Sequence, residues 1–219
     1  MSLEIERIIN TPVDSNCYII FDKEKNGECI IVDPGSQSSA SLIIELKKLQ
    51  LTPKYIILTH EHFDHCWGVN NLRDIFSEIK LICSSTCSEA IQKEKSNYSR
   101  YSCFPGFIIK PADILLEDIN WHLEWNDYKL LFIPAKGHSS SGIFVFIEKI
   151  IFTGDTVIKD FETTTKFKTG SQLELKESLK CLELYKGKGF WVYPGHGETF
   201  LLDEYDLSKA LRITKNQMF

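Results

Sequence analysis

The chain has 219 residues, 43% hydrophobic and 25% charged, with a formal net charge of −5. That length and balance fit a single globular domain, 1–219, with a sizeable core. Lysines and arginines are scattered among the acids, so the basic footprint that phosphate backbones need is missing and nucleic acid is not an expected partner. No apolar run reaches the ~20 residues of a membrane-spanning helix. Met1 to Asn10 carries Glu4, Glu6 and Arg7 in place of an apolar signal core, so a cytoplasmic protein is expected. Its seven cysteines, odd in number and irregularly spaced, then read as reduced thiols.

In chain order, Ile5–Ile9, Cys17–Phe21 and Cys29–Val32 have strand length. They are separated by Thr11-Pro12-Val13-Asp14 and by the hairpin signal Asn26-Gly27. Ser38–Gln50 places Leu42, Ile43, Leu46 and Leu49 on one helical face. A strand, Tyr55–Leu58, follows, then helices over Cys66–Phe76 and Thr86–Lys95 flanking a strand at Lys80–Cys83. The aromatic stretch Asn97–Pro111 reads as a surface loop, or as a wall over a site, since long loops often carry function. Beyond it, Trp121–Trp125, Tyr128–Ile133, Gly142–Ile147 and Ile150–Thr153 read as strands. Gln172–Leu184 is an amphipathic helix, Phe190–Tyr193 a strand and Tyr205–Ile213 a last helix.

One window carries the chemistry. Thr59-His60-Glu61-His62-Phe63-Asp64-His65 places three imidazoles and a carboxylate in H-x-H-x-D-H spacing, the donor set a borderline or hard transition metal takes. Three later residues share a placement with it. His138 in Gly137-His138-Ser139, Asp155 in Thr153-Gly154-Asp155 and His196 in Pro194-Gly195-His196 each follow a short apolar strand beside a glycine. Taken alone each reads as a turn. Together the seven are too many for one tetrahedral ion and suit two ions sharing a carboxylate. His122 alternates with Trp121 and Leu123 on a strand and reads as structural.

This set resembles the metallo-β-lactamase superfamily over essentially the whole chain, and Asn16-Cys17-Tyr18 and Asp33-Pro34-Gly35 are similar to its opening. The resemblance implies an α/β (α+β) fold, a four-layer αββα sandwich of two mixed β-sheets with helices on the outer faces. It assigns His60, His62 and His138 to one metal, Asp64, His65 and His196 to a second, and Asp155 to both. The cofactors implied are two divalent metal ions, zinc first, with iron or manganese as alternatives. The group most similar is the short form of glyoxalase II, or hydroxyacylglutathione hydrolase. Thr165–Gly170 is similar to that group's glutathione-contacting segment, which makes Lys166 and Lys168 substrate-binding candidates. Zinc β-lactamases carry cysteine where this chain has Asp155, so penicillin hydrolysis is not expected.

The implied reaction is thioester hydrolysis by a metal-held hydroxide that Asp64 and Asp155 orient. Formal charges leave such a centre at about +1, which favours a small anionic thioester. A mononuclear-iron persulfide dioxygenase and a lactonase or phosphodiesterase are the alternatives. A purely structural metal site fits poorly, because structural zinc sites are closed and usually cysteine-rich.

Overall fold

The computed structural model describes residues 2–25, 27–103, 105–117 and 120–211. The chain divides into two compact units, Met1–Leu115 and Leu116–Phe219.

The first unit is built on β1 (Leu3–Ile9), β2 (Asn16–Asp22) and β3 (Glu28–Val32), an antiparallel meander. A parallel neighbour needs a crossover. Helix α1 (Ala40–Lys48) supplies it and returns the chain as β4 (Thr52–Ile57), parallel to β3. Two short helices, α2 (Phe63–Cys66) and α3 (Val69–Ile75), lead to the parallel β5 (Lys80–Ser84). Then come α4 (Ser85–Ile91), α5 (Ser99–Ser102) and the edge strand β6 (Ile114–Leu116). On one face of this sheet Ile19, Ile31 and Ile56 pack with Leu42, Leu46, Leu72 and Ile91 from the helices. Ile20, Ile30 and Ile57, on the other face, are equally buried. Burial on both faces is why these strands read as continuous apolar runs instead of alternating.

The second unit repeats the scheme. Strands β7 (Trp121–Trp125), β8 (Tyr128–Pro134), β9 (Ile143–Ile147) and β10 (Ile150–Gly154) form a meander. Two of its turns are two residues long and open on left-handed Asn126 and Glu148, both at φ 52°. Helix α6 (Gln172–Glu183) crosses over to β11 (Trp191–Pro194), parallel to β10, and β12 (Phe200–Leu201) closes the edge. The Ser171 hydroxyl caps α6 by accepting from the Glu174 N–H at 3.3 Å. The buried stripe of the helix, Leu175, Leu179 and Leu182, packs on Phe144, Phe146, Ile151 and Val192.

Two mixed sheets with helices are the class expected from sequence. Several elements differ in extent. The helix expected over Cys66–Phe76 is two, α2 and α3, broken at Trp67-Gly68. There the Gly68 N–H donates to the Pro34 carbonyl at 2.8 Å, and a Cβ on Gly68 would meet that oxygen at the same distance. The helix expected over Thr86–Lys95 ends at Ile91. Of the last expected helix, a 3-10 turn at Leu207–Ala210 is present, and the positions after Leu211 lie outside the described residues, as do Asn26 and Phe104. Strands β6 and β12, three and two residues long, are too short for a sequence pattern to reveal. Among the described residues no helix is long and apolar enough to cross a membrane.

Candidate metal centre

His60, His138, Asp155 and His196 each lie just past the carboxyl end of a strand, and α2 carries Asp64 and His65. In the first unit His60 follows β4, and Asp33 follows its parallel neighbour β3. In the second, His138 lies past β8, Asp155 directly past β10 and His196 past β11, the parallel neighbour of β10. Carboxyl ends of parallel strands are where open α/β sheets place ligands.

In the first unit the rings of His60, His62 and His65 gather with centroids 4.6 Å (His60–His62) and 4.3 Å (His60–His65) apart. All three are buried. Proton bookkeeping fixes the tautomer of two of them. The Asp33 carboxylate accepts from the Thr59 N–H at 2.8 Å, the Thr59 hydroxyl at 2.6 Å and His65 Nδ1 at 3.0 Å. A hydroxyl has one hydrogen, and Thr59 gives it to Asp33. At 3.0 Å from His60 Nδ1, Thr59 Oγ1 therefore accepts. With Nδ1 protonated, neutral His60 and His65 both present the Nε2 lone pair, the form a metal binds. Those Nε2 atoms and that of His62 are buried, with no hydrogen-bond acceptor or donor meeting them among the described residues.

In sequence Asp33 figures only within Asp33-Pro34-Gly35, the stop after the third strand that is similar to the superfamily's opening, and its role behind the histidines is the principal one that reading misses. Its signal is a carboxylate at a strand end before Pro-Gly, held at φ 52°. Asn10, also missed, ties the turn down. Its amide donates to the Asp33 carbonyl at 3.1 Å and to Ser15 Oγ at 2.9 Å, and its oxygen accepts from the Ser36 N–H at 3.0 Å. Ser15 Oγ in turn donates to the backbone carbonyl of Asp64. Gly35 lies flat on Asp64, where a Cβ would sit 1.5 Å from the Asp64 carbonyl oxygen. Asp64 is thus placed by its backbone, and its Oδ2 lies 3.7 Å from His65 Nε2. Cys66 is a packed thiol: burial, and then the Asp64 carboxylate, push its pKa well above the ordinary range.

In the second unit His138 Nδ1 donates to the Thr164 carbonyl at 2.9 Å, which again leaves Nε2 as the lone-pair atom. Asp155 Oδ2 lies 3.6 Å from His138 Nε2 and 3.5 Å from His196 Nε2. These separations are long for hydrogen bonds. Two ligand atoms held tetrahedrally at 2.0–2.2 Å from one ion lie roughly 3.3–3.6 Å apart, so the spacing suits shared coordination. Donor types, tautomers and spacing in each unit fit divalent metal. His122 stands apart, exposed on β7 opposite Leu131.

A family model described as the metallo-beta-lactamase superfamily matches residues 10–214. The chain belongs to that superfamily. A probable metallo-hydrolase of Streptococcus pyogenes is 25% identical over 200 residues, covering 89% of this chain and 84% of that one. The hydroxyacylglutathione hydrolase GloC of Haemophilus influenzae is 26% identical over 203 residues, 89% of this chain and 91% of that protein. Among solved structures, the B3 metallo-β-lactamase BLEG-1 superposes with a TM-score of 0.82 at 29% identity, covering 91% of this chain and 94% of its own. The family match puts this chain among metal-dependent hydrolases of the metallo-β-lactamase fold.

The segment carrying Lys166 and Lys168 lies beside one of the histidines of this superfamily chain. Thr164 anchors His138, and the Phe167 ring stands edge-on to it at 5.3 Å. Gly170 closes the turn, its N–H donating to the Phe167 carbonyl at 2.9 Å. Lys166 and Lys168 are both exposed. Lys166 lines a cavity of about 230 Å³ with Glu162, Thr164, Thr165 and Gln172.

Proposed function

We propose that the two units act as one domain whose seven ligands hold two divalent ions, and that the protein is a cytoplasmic thioesterase of the hydroxyacylglutathione hydrolase type. His60, His62 and His138 would hold one ion, Asp64, His65 and His196 the second, and Asp155 both. The observation that carries this reading is Asp155 Oδ2, set 3.6 and 3.5 Å from the Nε2 atoms of two histidines assigned to different ions. Zinc is the ion of first choice, and iron or manganese suit the same mixed donors. Bound there, two dications supply Lewis-acid polarisation and bring the pKa of water from 15.7 to ≈ 7.

The chain's own residues do the positioning. Asp64 and Asp155 accept hydrogen bonds from the attacking water and aim its oxygen at the acyl carbon. Asp33 and Thr59 hold the His60 and His65 protons on Nδ1, which keeps both rings in the ligating tautomer. No serine or cysteine nucleophile is required. Lys166 and Lys168 act as point charges for a carboxylate on an anionic small-molecule substrate, without the bidentate geometry of arginine.

The likeness to BLEG-1 favours a second reading, β-lactam ring opening. A panel of S-lactoylglutathione, a neutral thioester, a lactone, a phosphodiester and a chromogenic cephalosporin separates the two. The thioesterase reading expects the first to be turned over fastest, and Lys166→Ala/Lys168→Ala to raise its KM several-fold while the KM for the neutral thioester stays put. Faster cephalosporin turnover, or an unchanged KM for the anionic substrate, would overturn it.

A further inference from the structure

Tyr98 has left-handed backbone, φ 63° and ψ 1°. A tyrosine there is an outlier, at a cost of order 1 kcal/mol or more, and such strain persists only where surrounding contacts over-determine it. Those contacts are present. The buried Asn97 amide donates to the carbonyls of Ile91 and Phe107, and its oxygen accepts from the Ser99 N–H at 2.9 Å. The Ser99 hydroxyl both donates to the Phe107 carbonyl and accepts from the Phe107 N–H, each at 3.0 Å.

What this scaffold places is the Tyr98 ring, edge-on to His62 at a centroid distance of 4.9 Å. Tyr101 continues the surface, 6.5 Å from Tyr98, and is 68% exposed. Tyr101 is mostly solvated and adds little to the core, and together with the half-buried Tyr98 at His62 it offers a face to something outside the chain. Phe107, by contrast, packs against the core and stacks on the half-buried Trp67 at 5.4 Å.

We infer that Tyr98 and Tyr101 form an aromatic shelf at His62 that receives the acyl part of the substrate and selects acyl groups carrying a ring. Offset or edge-to-face contact with a substrate ring gives such a shelf its preference over a short hydroxyacyl group. The inference rests on the hydrolase reading above for the substrate class. Binding of the carboxylate products tests it separately from turnover.

Calorimetric titration of the metal-loaded protein with phenylacetate and with lactate reads the preference directly. The expected result is phenylacetate binding about tenfold tighter than lactate, the scale of one good aromatic contact. The ratio should fall toward one in Tyr98→Ala and partway in Tyr101→Ala, an exposed position where folding is not at risk, and Tyr98→Phe should keep it. An unchanged ratio in both alanine variants, or equal weakening of both ligands, overturns the shelf. A wild type inert toward thioesters yet showing the ratio ends the thioesterase reading and leaves the shelf standing.

Discussion

Single hydrogen atoms decide whether the imidazoles can ligate. Thr59 has one hydroxyl hydrogen and gives it to Asp33, so the Asp33–Thr59–His60 chain and the direct Asp33–His65 bond fix both rings from one carboxylate. Asp33→Asn keeps the shape but puts an amide where a carboxylate accepted from three donors. Outer-shell partners of this kind are worth 10–100-fold in metal affinity. Metal titration against a chromogenic chelator should show a loss of about that size, while circular dichroism shows the fold retained. An affinity equal to wild type would remove Asp33 from the centre. Gly35 belongs to the same layer, because no other residue leaves room for the Asp64 backbone.

Elements placed these residues more legibly than the residues placed themselves. Strand ends preceding His60, His138, Asp155 and His196 were readable because buried apolar runs stand out against Gly and Pro. The break of the Cys66–Phe76 helix was not, because its cause is the approach of Gly68 to Pro34, more than thirty positions away in the chain. Asp33 was hidden for the same reason: its partners Thr59 and His65 become neighbours only when β4 pairs with β3. Short β6 depends on another such contact.

Just before β6, Asp113 accepts from Arg73 on α3 at 2.7 Å and from the Leu81 N–H on β5 at 2.8 Å. Burial alone raises its carboxyl pKa, but the Leu81 N–H, Arg73 and Lys80 outweigh that and hold it below the ordinary value. A folded-state pKa below the unfolded ~3.9 contributes stability that is complete above that pH and is lost as pH falls through the folded value. Thermal unfolding of Asp113→Asn should therefore lie below wild type at pH 7 and converge on it as pH drops below about 4. A gap independent of pH would show the contribution to be packing instead.

At the scale of the whole molecule, the family and the mixed-sheet class were legible because the seven donors and their spacing are themselves the signature. The Asn97–Pro111 aromatics stayed open between loop and wall, because exposed side chains such as Tyr101 leave no periodicity behind. The proposed ligands are His60, His62, Asp64 and His65 in the first unit and His138, Asp155 and His196 in the second. Native mass spectrometry of the metal-loaded chain counts what they hold together. Two ions per chain are predicted, with at least one lost in His62→Ala from the first unit and in His196→Ala from the second. A wild type that binds no ion, or a count of two surviving either substitution, would contradict a shared dinuclear centre.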